Sequence, residues 1–519
     1  MMTITHREKR MVKVYAAGGD GGGGDAPHAK ENESVNVELL PVPKTERSFS
    51  GYDMAALWIG LVVCVPAYTL ASSLVDLGLT VSQGIAVLAA GSALLLPALL
   101  INAHAGAKYG VPFPVLARQG FGVRGANVVA VMRGLVAAGW FGIQTWFGSE
   151  TIHAMLALAG VVAPAAPWSG AIPPPSRLAC FAGFWAMQVA IIVRGMGIIR
   201  IVEAIAAPVL IALCSALFTW ATINAGGIGV VLQHAATSTV ETKSMGVLLT
   251  ALTGVAGFWS SLVLNISDFS RYSKSQKGQM IGQAVGLPAC MALFGFVSIV
   301  TTAATPLIFS RVITDPVEVV SLIGGLPTIL ALFGVLLATL STNIAANVVA
   351  PANALVAVFP RLLGFRGGAF VTAVLGVLIM PWKLVESSSG FFNWLIGYSA
   401  LLGPIAGVMV AEYVVSGFRI PDEGALFTAD ARGRYWFSSG YCIPAFIALI
   451  AGTVINLPGF LAQVTSYTVP HPIFTTLYEV RHTYIRVNPF SCCSCQLPVL
   501  TRDLLCVCAR ISMWHDICM

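Results

Sequence analysis

The sequence predicts an all-α integral membrane protein, and three observations support that fold class. Apolar residues make up 56% of the 519 residues, charged residues make up only 10%, and the mean hydropathy is +0.81. Ordinary soluble domains contain about 25% charged residues. Charge-poor runs of about 20 residues, each long enough to cross a bilayer as a helix, recur from Ala55 to Leu461. A β-barrel would instead show short alternating segments.

Residues 1–50 form a polar N-terminal tail that we expect to be disordered. It contains the run GGDGGGGD and no apolar stretch that could act as a cleavable signal. Residues 51–461 hold the predicted membrane domain, and residues 462–519 form a divergent tail with six of the eleven cysteines. That tail lacks the His spacing of a metal cluster, and the other five cysteines are expected to pack as small hydrophobes.

Hydropathy predicts eleven membrane-spanning helices, numbered here as spans 1 to 11: 55–78, 84–106, 126–151, 177–197, 200–223, 246–268, 281–304, 326–356, 367–385, 392–416 and 436–461. Lys and Arg concentrate in the N-terminal tail and in the loops after the even-numbered spans, which places the N-terminus in the cytoplasm. Eleven spans put the C-terminal tail outside, although it carries four arginines, and residues 462–519 contain no clean apolar run for a twelfth span. The net charge of +6 is too unevenly placed to indicate a nucleic-acid partner.

Span 1 contains the stretch WIGLVVCVPAYTLAS, in which Pro66 removes a backbone donor and frees the carbonyls around Val62 and Val63. Freed carbonyls at membrane depth are tolerated where they contact protein, water or an ion. An ordinary proline kink explains the same residues equally well.

Span 3 carries the stretch GWFGIQTW, in which Trp140 and Gln144 are four residues apart and share one helix face. Gln144 could contact a ligand, but it could equally be interhelical glue worth about 0.6–2 kcal/mol. Trp146 lies off that face and is expected to be a packing or interfacial residue.

Span 6 carries GVAGFWSSLVLNISDFSRYSKSQ, where Gly254 and Gly257 predict a loosened helix just before Trp259. Trp259 alone would be interpreted as a core residue. Asp268, near the end of the span, is expected to cap a helix or to pair with Arg271.

Span 8 places Ala338, Ser341 and Thr342 on one face, so a carbonyl and two hydroxyls converge there. Neutral oxygens suit a weakly held monovalent cation better than a transition metal. Ser and Thr hydroxyls also commonly bond back to their own helix, which is the alternative. The same span carries three amides that each need partners: Asn343, Asn347 and Asn353.

Three ionisable residues lie inside spans, where such residues are functional candidates by default: Arg133, Glu203 and Glu412. All three lie near predicted span ends, so we expect them to snorkel to the interface or to pair. The chain has no P-loop, HExxH motif or paired His/Cys set, which argues against an enzyme. Breaks in spans 1 and 6 fit inverted repeats with substrate and ion at the midplane, and indoles with amides suit a flat, neutral heterocycle.

Several long motifs, in order along the chain, resemble the nucleobase–cation symporter-1 family, and most closely its plant and green-algal purine, uracil and allantoin permeases. The resemblance covers roughly residues 38–479. The motifs are ERSFSGYDMAALWIGLVVCVPAYTLASSLVDLG, GWFGIQTWFGS, GFWSSLVLNISDFSRYSKSQ, LSTNIAANVVAPAN, NWLIGYSALLGPIAGVMVAEY and GRYWFSSGY.

The resemblance implies a LeuT-type fold of 5+5 inverted repeats plus two helices, with helix 12 lost or divergent in this chain. It implies alternating-access symport of a nucleobase with H+ or Na+, no other cofactor, and a multi-pass location in the plasma membrane or the plastid envelope. The match fails at about Val480, which suggests that an alternative or misassigned exon encodes the tail.

The family motifs also carry site residues over to this chain. Trp140 and Trp259 resemble the two indoles that sandwich the substrate ring, Gln144 the amide at its edge, and Asn347 its partner from span 8. Two further positions near the substrate depart from relatives that carry Gln or Gly there: Cys64 and Phe258. The cation site of sodium-dependent relatives maps to the carbonyls of Gly60, Val63 and Ala338 and the hydroxyls of Ser341 and Thr342.

Two other readings stay open at this point. The chain could be a LeuT-fold transporter for another solute class, such as amino acids, although VCVPAY lacks the Gly-rich backbone expected to receive a carboxylate. It could also be a non-transporting or defective membrane protein, because its twelfth span is disrupted.

Overall fold

A computed structural model describes residues 36–164, 172–194, 196–238, 245–385 and 388–464. Helices of six or more residues are numbered α1 Gly51–Val62, α2 Val65–Asp76, α3 Val81–Tyr109, α4 Gly125–Leu158, α5 Pro175–Ile192, α6 Met196–Asn224, α7 Ile228–Ser238, α8 Met245–Asn265, α9 Gln276–Ala284, α10 Cys290–Phe309, α11 Pro316–Ser321, α12 Gly325–Asn347, α13 Val349–Val358, α14 Phe365–Leu378, α15 Ser388–Val415 and α16 Ile443–Val464. A π-helical segment, Val285–Ala289, joins α9 to α10.

The predicted spans coincide with these helices. Each of the eleven falls on one helix or on a consecutive pair, and the Pro-rich segment before span 3 forms only two four-residue turns, Phe113–Leu116 and Arg118–Phe121. Within the described ranges, seven helices are long and apolar enough to cross a membrane, or nine if two bent pairs each count as one span. Hydropathy therefore located apolar helices within the described residues, while the number of membrane crossings, eleven, stays a prediction.

Span 1 is broken rather than merely kinked. Helix α1 ends at Val62, α2 begins at Val65, and the two helices are bent by 62°. Pro66 occupies the first turn of α2, where its missing N–H costs no helical bond. The same missing donor prevents α1 from continuing through Val63 and Cys64. Of the two alternatives that the sequence left open, the structure therefore has the break.

The predicted loosening of span 6 is wrong. Helix α8 runs without interruption from Met245 to Asn265, through Gly254 and Gly257. A single glycine costs a helix only about 1 kcal/mol, so flanking packing overrides it. At Gly257 the absent side chain has another use, because a Cβ there would lie 3.2 Å from the Ser399 hydroxyl of α15.

The predicted disordered tail, residues 1–50, includes a segment that is in fact ordered. Residues 36–50 pack on the helical domain: Asn36 donates to the carbonyl of Pro360 at 2.9 Å, and Leu39 is fully buried. Phe49 bridges to Ser273 through the backbone. This segment is held by partners far away in the sequence, which local composition does not reveal. Residues 1–35 and the tail after Val464, including the predicted loss of a twelfth helix, lie outside the described residues.

Helix α4 is the central element of the domain. It packs against α5, α12, α13 and α14, while α8 packs against α3 and α15. Both α4 and α8 are mostly buried along their apolar windows. This arrangement brings spans 3, 6 and 8, which carry the candidate site residues, into one packed core.

Candidate functional site

A cluster of aromatic rings joins four helices in this core. The Phe258 ring lies 5.8 Å from Trp140 and 4.8 Å from Trp259, between centroids, and contacts both edge-on. Trp259 also packs edge-on against Trp58 of α1 at 5.6 Å, and Trp140 packs against Tyr398 of α15 at 6.2 Å. The structure therefore brings Trp140, Phe258 and Trp259 together, with Phe258 as the ring that contacts both indoles.

Sequence reasoning missed Trp58 and Tyr398. Both lie in stretches that carried the family resemblance, WIGLVV and IGYSALL, but neither has a polar neighbour at helical spacing that would single it out. Trp58 is fully buried, and a Cβ added to Gly286 would lie 2.6 Å from the Cβ of Trp58. Only the tertiary packing shows that these two side chains border the aromatic cluster.

Polar atoms at the cluster that are buried with no hydrogen-bond partner among the described residues include Gln144 Oε1, Trp259 Nε1 and Trp58 Nε1. Buried polar atoms in native proteins are almost always paired. Interhelical glue would require a partner for the Gln144 amide oxygen, and the described residues provide none. The cluster thus offers at least one acceptor and two donors to a ligand that presents both kinds of group.

The amides of span 8 separate into two roles. Asn343 donates to the Phe141 carbonyl at 3.0 Å and to Gln188 Oε1 at 2.7 Å, so it ties α12 to α4 and α5. Asn347, at the end of α12, donates to Asn343 Oδ1 at 3.0 Å and is 4% exposed. Asn343 therefore forms structural hydrogen bonds between helices, and it orients Asn347.

Two of the candidate cation ligands, Thr342 and Gly60, are in contact beside the break between α1 and α2. Thr342 Oγ1 donates to the Gly60 carbonyl at 2.6 Å, which joins α12 to α1 instead of bonding back to its own helix. Val63, Cys64 and Ala338 line one apolar cavity beside this contact. Ser341 is fully buried on the same helix. These neutral oxygens fit a weakly bound monovalent cation, since no carboxylate is among them.

Several other predicted residues fall outside this site. Trp146 packs in a separate cluster, 6.0 Å from Trp382 and 6.3 Å from Phe181, which confirms its packing role. Asp268 accepts from the backbone N–H of Phe113 at 3.0 Å, so it caps the neighbouring short helix. Capping was one of the two roles predicted for it. The side chain of Glu203 lies outside the described set.

The expectation that Arg133 snorkels to the membrane surface or pairs with an acid is wrong. Its side chain is only 1% exposed and donates to the Ser261 carbonyl at 3.0 Å and to Asn265 Oδ1 at 3.1 Å. The prediction failed because α8 and α12 enclose Arg133, so its side chain is held by their oxygens and does not extend to the membrane surface.

Comparison with known proteins identifies the family. A sequence model described as permease for cytosine/purines, uracil, thiamine and allantoin matches residues 41–481, most of the chain. The chain belongs to this permease family. A purine-uracil permease NCS1 of Arabidopsis thaliana is 46% identical over 452 residues, covering 86% of this chain and 74% of the relative. An allantoin permease of Bacillus subtilis (strain 168) is 32% identical, covering 87% and 90%.

Solved structures agree with the fold of this permease. Mhp1, a nucleobase–cation symport-1 family transporter, in a closed conformation with bromovinylhydantoin bound, has a TM-score of 0.68 at 24% identity, covering 86% of this chain and 99% of Mhp1. Inward-facing Mhp1 has a TM-score of 0.65 at 26% identity, covering 88% and 93%. The permease is a multi-pass membrane transporter of LeuT-type fold and not an enzyme, as predicted.

Proposed function

We propose that this permease is a secondary-active transporter of nucleobases and related heterocycles, among them uracil, adenine, guanine and allantoin. The observation that carries the proposal is the pair of unpartnered buried atoms, Gln144 Oε1 and Trp259 Nε1, beside the aromatic rings of Trp140 and Phe258. The names of the Arabidopsis and Bacillus relatives, and the hydantoin bound to Mhp1, point to the same ligand class.

The ligand class follows from the chemistry of these groups. Indole and phenyl faces favour a flat ring, which gains offset or edge contacts as it is buried. The Gln144 carbonyl oxygen accepts from a ring N–H, and the Trp259 indole N–H donates to a ring carbonyl or nitrogen. Asn347, oriented by Asn343, supplies a further amide from α12. Cys64 lines the separate apolar cavity beside the break in span 1, which none of these substrate residues lines.

We further propose that coupling to the cation takes place at the break between α1 and α2. A Na+ held by the carbonyls of Gly60, Val63 and Ala338 and the hydroxyls of Ser341 and Thr342 would add its contacts to the Thr342–Gly60 hydrogen bond that already joins α12 to α1. Such a contact fixes the angle of the break, which links ion binding to the substrate side of α1. The alternative is coupling to H+, in which a titratable group outside this set of neutral oxygens would carry the proton.

Uptake by a host cell that lacks its own nucleobase transport tests the proposal. We expect saturable uptake of at least one of the four heterocycles, measured by competition against radiolabelled uracil at varied pH and sodium concentration. Gln144→Ala and Trp259→Ala remove the unpartnered acceptor and donor, so each should lower uptake by about 100-fold, or roughly 3 kcal/mol of binding free energy.

Trp146→Phe is the matched control, because Trp146 lies on the same helix as Gln144 but packs in the separate cluster with Phe181 and Trp382. It should retain uptake at equal surface abundance. Normal uptake by both site variants would remove the site assignment. Absence of uptake of every heterocycle by the unmodified chain would overturn the function itself.

A further inference from the structure

Arg133 is a buried cation inside the membrane domain that the proposed site does not use. Within the part of the chain that the structure describes, each hydrogen bond of Arg133 ends on an uncharged oxygen: Nε donates to Ser261 O and Asn265 Oδ1, and Nη2 donates to Ala346 O at 3.5 Å. Its Nη1 has no partner among the described residues. Asp268 acts on it through space but hydrogen-bonds to Phe113 instead.

Stability does not account for such a residue. Removing a guanidinium from water is costly, and neutral carbonyls return less of that cost than a carboxylate does. An apolar side chain of similar size would fill the same space without the penalty. A buried, unpaired charge in a membrane domain therefore indicates a function.

The position of Arg133 suggests which function it has. Arg133, Trp140 and Gln144 follow one another at seven and four residues, so they share one face of α4, with Arg133 about 10 Å from Trp140 along the axis. Its acceptors lie on the two other helices that carry proposed substrate residues. Ser261 follows Trp259 by two positions on α8, and Ala346 directly precedes Asn347 on α12.

We infer that Arg133 is a positioning residue that closes the pathway on the cytoplasmic side of the substrate site by holding α8 and α12 against α4. The inference rests on the proposed function and on the proposed cytoplasmic N-terminus. Arg133 lies between Trp140 and the end of α4 next to the residue 417–442 loop, which is rich in arginine. Substrate release to that side requires α8 to separate from α4, so the Arg133 contacts break once in each cycle.

The chemistry of the contacts suits a repeated opening. Bonds from a guanidinium to carbonyl oxygens are weaker than a buried ion pair, and water can replace them without leaving a carboxylate unpaired. Nη1 keeps a donor ready for the first water that enters. A lysine could not span both helices with this planar set of donors.

A labelling experiment in inside-out membrane vesicles tests the inference. Ser261→Cys leaves the contact intact, because Arg133 binds the Ser261 backbone carbonyl, and it reports whether α8 is open to the cytoplasmic side. Modification of position 261 by a membrane-impermeant maleimide, added outside the inside-out vesicles, is measured by mass spectrometry of the peptide. In this background, Arg133→Gln should raise the labelling rate by about fivefold or more, and Arg133→Lys by a smaller factor.

Transport kinetics supply a second readout. Arg133→Gln should lower the maximal uptake rate by about tenfold, with KM changed by less than about threefold, because the residue acts on closure and not on substrate contact. Arg118→Gln is the matched control. Arg118 is also buried, at 2% exposure, but it donates to the Leu426 carbonyl in the 417–442 loop, so labelling at position 261 should stay at the parent rate.

The two proposals fail separately. Parent-rate labelling at position 261 in both Arg133 variants overturns the closing role, even if heterocycle uptake is found. If Arg133→Gln does not reach the membrane, Arg133→Lys alone tests the closing role. A parent-like labelling rate in Arg133→Lys would then overturn that role. If the unmodified chain takes up no heterocycle, the labelling result still tells whether Arg133 holds α8 against α4.

Discussion

Two threonines one turn apart on α12 show how much a single hydrogen-bond partner decides. Thr339 Oγ1 donates to the Val335 carbonyl of its own helix at 2.9 Å, as threonines in membrane helices commonly do. Thr342 Oγ1 donates across to Gly60 at the break of span 1. Both side chains are buried, so they do not differ in exposure. They differ in the partner to which the hydroxyl donates.

Thr342→Val should therefore be more damaging than Thr339→Val. The first leaves the Gly60 carbonyl without its partner, which costs about 1–3 kcal/mol of unfolding free energy, and it removes one proposed cation ligand. The second deletes only a bond within one helix. Thermal unfolding in detergent and sodium-dependent uptake are the measurements. Equal behaviour of the two variants, with unaltered cation dependence, would contradict the placement of the cation site.

Helix packing around the break depends on a few close approaches. Gly286, in the π-helical segment between α9 and α10, lies against Trp58, which in turn packs on Trp259. Gly254 of α8 has no neighbouring atom within 4 Å of the position of an added Cβ. The two glycines therefore differ in purpose, since one permits contact between elements and the other is simply tolerated within a continuous helix.

Alanine at these two positions should have opposite effects. Gly286→Ala places a Cβ 2.6 Å from the Trp58 Cβ, so α1 or the π-helical segment must move, at a cost of about 1–3 kcal/mol, and uptake should fall. Gly254→Ala should be neutral or stabilising by up to about 1 kcal/mol, because alanine favours the helix. Melting temperature and uptake are measured for both. Loss of uptake in Gly254→Ala would mean that α8 has to loosen there after all.

At the scale of the whole molecule, the orientation in the membrane is a proposal that follows from charge. The basic loops lie with the N-terminal segment, which we place in the cytoplasm of a plasma-membrane protein or the stroma of a plastid-envelope protein. The structure adds that the 417–442 loop contacts the beginning of α4, through Val123 and Arg124, whereas the segment after Leu158 lies at its other end.

Two exposed alanines at opposite ends of α4 test this orientation. A membrane-impermeant maleimide should label Ala163→Cys, in the segment after α4, on intact host cells that display the protein at their surface. Ala429→Cys, in the 417–442 loop, should react only after permeabilisation. The reverse pattern would invert the topology, and with it the side that Arg133 closes.

The amino-acid sequence by itself determined the membrane class, the position of the apolar helices among the described residues, a disruption of the helix at Pro66, and the shared face of Trp140 and Gln144. These are properties of windows of about 20 residues, in which transfer energy and helical periodicity act locally. Tertiary structure decided the continuity of α8, the packing of residues 36–50, and which polar residues are glue. Thr342 and Gly60 are 282 residues apart, and Arg133 and Ser261 are 128 apart. Such partners are chosen by helix packing, which no local pattern contains.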